Sequence, residues 1–142
     1  MRMLLAARHT SIPGAASALL QYRRFEQDLQ KDFFELAGQS GKPRGLRWIS
    51  CDWTGDLQVV ADDEQQLITA FASVNLGFEA IEGGDMEDVE AVSTIRDGSA
   101  VFHFQDGGWG SAGRVVFNMN PQQAAAHMTP DARQIFNRAA SA

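Results

Sequence analysis

Cys51 is the only cysteine, so no disulfide can form within the chain. That excludes a small secreted domain stapled by bridges and fits a reducing compartment such as the cytoplasm. Long apolar runs are missing too, and none approaches the roughly 20 residues of a membrane span. Basic residues are scarce: 12 Lys and Arg stand against 18 Asp and Glu, a net charge of −6. Docking on nucleic acid through its phosphates needs a basic footprint, so this balance argues against it. His9, His103 and His127 have no metal-ligand spacing among themselves or with Cys51. Gly41-Lys42 is followed by Pro43 where a phosphate-binding loop needs Ser or Thr, and neither GQSG nor GSAG makes a nucleophile elbow. No cofactor is expected. What is left is an ordinary globular composition, 44% hydrophobic and 21% charged over 142 residues, which is one domain with a real core.

The chain is organised around residues 67 to 104. From Leu67 to Ile81 one parity is wholly apolar: Ile68, Ala70, Ala72, Val74, Leu76, Phe78 and Ala80. That period of two predicts a half-buried strand. At about 3.3 Å per residue such a strand spans roughly 50 Å, against a domain width of roughly 40 Å, so it must bend. Gly77 is the expected hinge, and the sheet is expected to curve. Asp97-Gly98 predicts a two-residue hairpin turn. It would pair Arg96 with Ser99, Val92 with His103, and Ala91 with Phe104. Phe102 and Phe104 then face inward, and Glu90, Val92, Val101 and His103 share the reverse face.

Around this centre, Leu19, Tyr22, Phe25, Leu29, Phe33 and Leu36 recur at helical spacing and predict a long amphipathic helix from Ala15 to Gly38. Strands are expected at Leu46–Trp53 and Asp56–Ala61, joined at Thr54-Gly55, and again at Asp88–Arg96 and Arg114–Met119. Asn120-Pro121-Gln122-Gln123 is a helix start with a cap, a proline at the first position and a glutamine at the third. Thr129-Pro130-Asp131 is expected to open a second short helix. The fold class is therefore α+β: a long N-terminal helix on a curved antiparallel meander of about six strands, with short C-terminal helices. Residues 1–13 read as a flexible tail and 14–142 as a single domain. Arg2, Arg8, Arg23 and Arg24, with no acid before Glu26, also fit an amphipathic targeting segment.

Four groups of residues carry candidate chemistry. Glu82, Asp85, Glu87 and Asp88, flanked by Glu79 and Glu90, crowd carboxylates around a glycine turn. They would either hold a hard cation or form a solvated hairpin tip. His103 beside Glu90 would make an acid–base pair, or a structural histidine with an ion pair. Phe71, Val92 and Val101, with Leu67 and Ile81, make the reverse face too apolar for solvent. A terminal helix, a ligand or a second subunit must cover it, and a homodimer is the expected answer. Trp109, in DGGWGSAG, is a packed aromatic or the rim of a pocket.

The order of elements, a long helix and then an antiparallel meander over Ala15 to Met119, resembles cystatin-like and NTF2-like folds. The order and the acidity are also similar to dimeric secretion chaperones, without their middle helix. The resemblance implies a curved sheet around one helix, dimerisation through the sheet, and in some members a pocket. The function expected is a non-catalytic dimeric domain that binds a protein partner or small ligand through its sheet. The alternatives are a pocket enzyme using His103 with Glu90 and an acidic chaperone or adaptor.

Overall fold

The first helix, α1 (Ala15–Gln39), forms where the apolar spacing places it. The structure is a computed structural model that describes residues 14–39, 46–80 and 96–140. The helix buries Ala18, Tyr22, Leu29, Phe33 and Ala37. Phe25 and Leu36 lie outside this stripe, 42% and 39% exposed. Tyr22 and Leu29 are seven positions apart, two turns, and the turn between them is filled by Glu26. A carboxylate therefore sits inside the apolar face, where the sequence pattern suggests Phe25.

Among the described residues the sheet has five strands rather than the six or so expected: β1 (Leu46–Asp62), β2 (Leu67–Ala80), β3 (Arg96–Gln105), β4 (Gly108–Phe117) and β5 (Arg133–Arg138). Their order is β4-β3-β2-β1-β5, and every neighbouring pair is antiparallel. β2 is the central strand, and Ile68, Ala70, Ala72, Val74, Leu76 and Phe78 are all buried, as its period of two requires. A short second helix, α2 (Pro121–Met128), starts at the expected capping box: Asn120 and Gln123 each bond the other's backbone N–H. Among the described residues no helix is long and apolar enough to cross a membrane.

Two expected turns are not turns, and an expected helix is a strand. Thr54-Gly55 lies within β1: Trp53 pairs with Val74 and Leu57 with Ala72, so three residues stand opposite one. Gly55, at φ +104°, absorbs this as a bulge, and pairing with β2 then resumes. A second bulge, between Trp48 and Ser50, falls opposite Gly77. The bend expected at Gly77 is thus carried by the extra residue of β1. Gly77 supplies room, since a Cβ there would collide with Ser50 Oγ.

Asp97-Gly98 likewise runs straight through β3. Gly98 pairs with Val74 on one side and Phe117 on the other, and a Cβ there would lie 2.9 Å from the Val116 carbonyl oxygen. Two flanking strands override the local turn preference. The two-residue turn is Asp106-Gly107, at φ +54° and +82°, which joins β3 to β4. β4 consequently begins at Gly108 and includes Trp109. His103 pairs with Thr69 and Gly110 rather than with Val92. Facing survives the error, because parity does not depend on the turn: Phe102 and Phe104 pack beneath α1.

The third correction is at the C-terminal end. Residues after Thr129-Pro130-Asp131 form β5, which pairs with β1 from Ala61↔Arg133 to Leu57↔Arg138. The outer half of β1 has an unpaired edge there, and β5 satisfies it. Two cores result. The larger lies between α1 and the sheet, and the smaller joins Val60, Phe71 and Val101 to Ala124 and Ala125 of α2.

Candidate functional site

The β1 bulge and the last residue of β5 build the site. The bulge leaves the Gly55 carbonyl free to accept a 2.8 Å hydrogen bond from Arg138 Nε. The rest of that guanidinium meets Glu26 on α1: Nη2 donates to Oε2 at 2.7 Å and Nη1 to Oε1 at 3.3 Å. This is a two-pronged, charge-assisted pair on partly buried side chains. The Glu26 hydrogen bonds hold the Arg138 pKa above its ordinary value.

Tyr22 lies one helical turn before Glu26. Its ring packs edge-on against Phe102 and Trp109, at centroid distances of 6.1 and 5.1 Å. Its hydroxyl is buried and has no hydrogen-bond partner among the described residues. Burial raises the phenol pKa well above its ordinary value, the Glu26 carboxylate raises it further, and Arg138 opposes both. The hydroxyl therefore sits in the field of the Glu26–Arg138 pair. Beside it, a cleft of about 400 Å³ opens between α1 and the β1–β5 edge. Leu19, Leu20, Leu57 and Phe136 form its apolar walls, and Tyr22, Arg23 and Arg138 supply its polar groups. Leu20 is 72% exposed and Phe136 40%, so the mouth is apolar and open to solvent.

The residues singled out in the sequence lie elsewhere. Phe71 and Val101 are buried in the smaller core, where α2 closes over them. No ligand or second subunit is needed to shield these two residues. Trp109 is packed: its Nε1 donates to the Ala18 carbonyl at 2.8 Å, and its ring lies against Tyr22 and Phe104. His103 Nδ1 is 3.1 Å from Thr69 Oγ1. Burial, and then the charge of Arg114, lower its pKa, opposite to the effect expected from a neighbouring carboxylate. Glu90, Val92 and Ile81, and the proposed cation ligands Glu82, Asp85, Glu87 and Asp88, fall outside the described residues. Among the described residues no three His, Cys, Asp or Glu side chains are grouped to hold a metal ion. Glu79 makes a surface pair with Arg47 at 3.4 Å. The Cys51 thiol is pushed up to about 12 by burial and, secondarily, by Asp52.

Sequence reasoning missed Glu26 and Arg138. Glu26 was signalled, since a carboxylate at the missing turn of an apolar stripe needs a partner. Arg138 was not, because its strand reads as a helix. Comparison with protein families, with curated proteins and with solved structures finds no match.

Proposed function

We propose that the protein is a binding domain for a small amphiphilic molecule, held in the cleft between α1 and the β1–β5 edge. One observation carries this reading: an apolar cleft of about 400 Å³ lined by Tyr22, whose hydroxyl is buried behind the wall and has no hydrogen-bond partner among the described residues. Small-molecule sites are typically concave and mostly apolar, about 300–1,000 Å³, with a few convergent polar groups. An unmatched buried hydroxyl costs about 1–3 kcal/mol, and a ligand that reaches it recovers part of that cost. Partner binding through the reverse face has less support, since α2 already shields Phe71 and Val101.

The test uses N-phenyl-1-naphthylamine, an uncharged dye whose emission rises in apolar surroundings. Saturable binding at one site per chain is expected, abolished by Phe136→Asp at the mouth. A rise that does not saturate, or one that Phe136→Asp leaves intact, overturns the reading.

A further inference from the structure

We infer that the cleft selects an anionic amphiphile, an apolar body with a carboxylate or similar acceptor-only head. The inference rests on the ligand-binding reading above and adds the chemistry of the ligand.

The argument is an inventory of donors and acceptors. The polar side chains lining the cleft are Tyr22, Arg23 and Arg138. Arginine has donors only, five N–H groups, and Arg138 spends three of them on Gly55 and Glu26. Two remain. Arg23 is exposed and brings a second guanidinium to the mouth. Tyr22 stands behind the wall with a buried O–H that has no hydrogen-bond partner among the described residues. Its raised pKa keeps the phenol neutral, and so a donor, at any physiological pH. Glu26, the nearest carboxylate, lines the adjoining cleft over the β1 bulge and not this one.

Among the described residues the wall therefore offers arginine donors, the unpaired charge of Arg23 and no carboxylate. This is notable on a chain of net charge −6, where chance would favour acids. An amine head would meet the exposed Arg23 cation and the remaining N–H groups of Arg138, whose charge Glu26 already balances. An alcohol could accept at most two hydrogen bonds, both uncharged on its side, and brings a donor of its own. A carboxylate has two oxygens and about four lone-pair sites, and charge-assisted bonds to it are about twice as strong as neutral ones.

The experiment is displacement of N-phenyl-1-naphthylamine from the full chain by decanoate, decanol and decylamine, which share one chain length. Decanoate is expected to displace the dye at a concentration about tenfold lower than decanol, with decylamine weakest. Tyr22→Phe removes an unmatched polar atom, so the variant keeps its fold. It is expected to lose about fivefold to tenfold of the decanoate affinity. Arg23→Gln should narrow the gap between decanoate and decylamine.

Equal displacement by the three compounds overturns the inference and leaves the ligand-binding reading standing. A decanoate preference unchanged in both variants overturns it as well, because the donors of the wall are then not its source. Failure of the dye to bind removes the reading and the inference together. So does a dimer in sedimentation that Phe136→Asp dissociates and that never binds dye, since the cleft is then an interface between two copies.

Discussion

Glu26 and Arg138 stand 112 positions apart and meet through two hydrogen bonds, at 2.7 and 3.3 Å. The contact ties the first helix to the last strand, and Arg138 extends it to the β1 bulge through Gly55. It differs from Arg133–Asp63, a pair of similar geometry, in its acid: the arginines are 37% and 36% exposed, but Glu26 is 20% exposed and Asp63 51%. Exposed pairs typically contribute about 0–1 kcal/mol, because water screens the charges and ordering two side chains costs entropy. Removing one member of a shielded pair leaves the other charge unmatched, and that costs more.

Glu26→Gln is therefore expected to destabilise the protein by about 1–2 kcal/mol, a figure discounted for the remaining exposure of Arg138. A urea-denaturation cycle with Arg138→Gln measures the coupling. It should clearly exceed that of Asp63→Asn with Arg133→Gln, where solvent screens both charges. Equal couplings would mean that the pair across α1 is no better shielded than one in open solvent.

Features set by periodicity were legible in the sequence. The helix, the central strand β2 and the inward facing of Phe102 and Phe104 all follow from spacing alone, and spacing survives errors in turns. Features set by competition between local and long-range pairing were not. Asp97-Gly98 has the composition of a hairpin turn, but Val74 and Phe117 hold Gly98 extended from both sides. Thr54-Gly55 has a turn's composition as well, yet β2 continues beyond it and draws the chain back into register. β5 is a strand because β1 offers an open edge, which nothing near Ile135 and Phe136 records. The cleft depends on that bulge and that strand, so it could not be assembled before the topology was known.

Two glycines with positive φ separate strain from crowding. Gly107, at φ +82°, has nothing within 4 Å of a Cβ built on it, whereas at Gly113, φ +76°, that atom would lie 2.7 Å from the Ala37 nitrogen and 2.9 Å from the Leu36 carbonyl carbon. Alanine at position 107 incurs only the left-handed backbone penalty, about 1–2 kcal/mol. At position 113, where β4 bulges between its pairings Phe102↔Ser111 and Ala100↔Val115, it must also push α1 away, and overpacking adds about 1–3 kcal/mol. Thermal melts of the two variants should rank Gly113→Ala well below Gly107→Ala. The reverse order would mean that α1 does not rest on β4 at that point.

His103 gives the fold a dependence on pH. Its folded pKa lies below the ordinary 6.5, chiefly through burial and then through Arg114. The unfolded chain then binds the proton more readily, so acid favours unfolding. The contribution is fully present above the ordinary value, falls as pH drops from there through the folded value, and levels off below it. His103→Gln should flatten this part of the stability profile, measured by denaturation at a series of pH values. A slope unchanged in the variant assigns the acid sensitivity to other groups.

Cys51 tests burial through reactivity. Its thiol is pushed up to about 12, with burial as the main cause and Asp52 second. The thiolate is the reacting species, so at about pH 8 only about one molecule in ten thousand would carry it, against about a quarter for a free thiol of ordinary pKa. A high-pKa thiolate is intrinsically more nucleophilic, which returns part of this deficit. Native protein should therefore react with a disulfide reagent such as 5,5′-dithiobis(2-nitrobenzoate) roughly fiftyfold more slowly than protein unfolded in urea. Local opening of β1 would let the reagent bypass the barrier, and the rate would then follow the opening equilibrium rather than pH. Equal rates in native and unfolded protein would show that the thiol is not shielded on β1, and would undo the placement of the strand that frames the cleft.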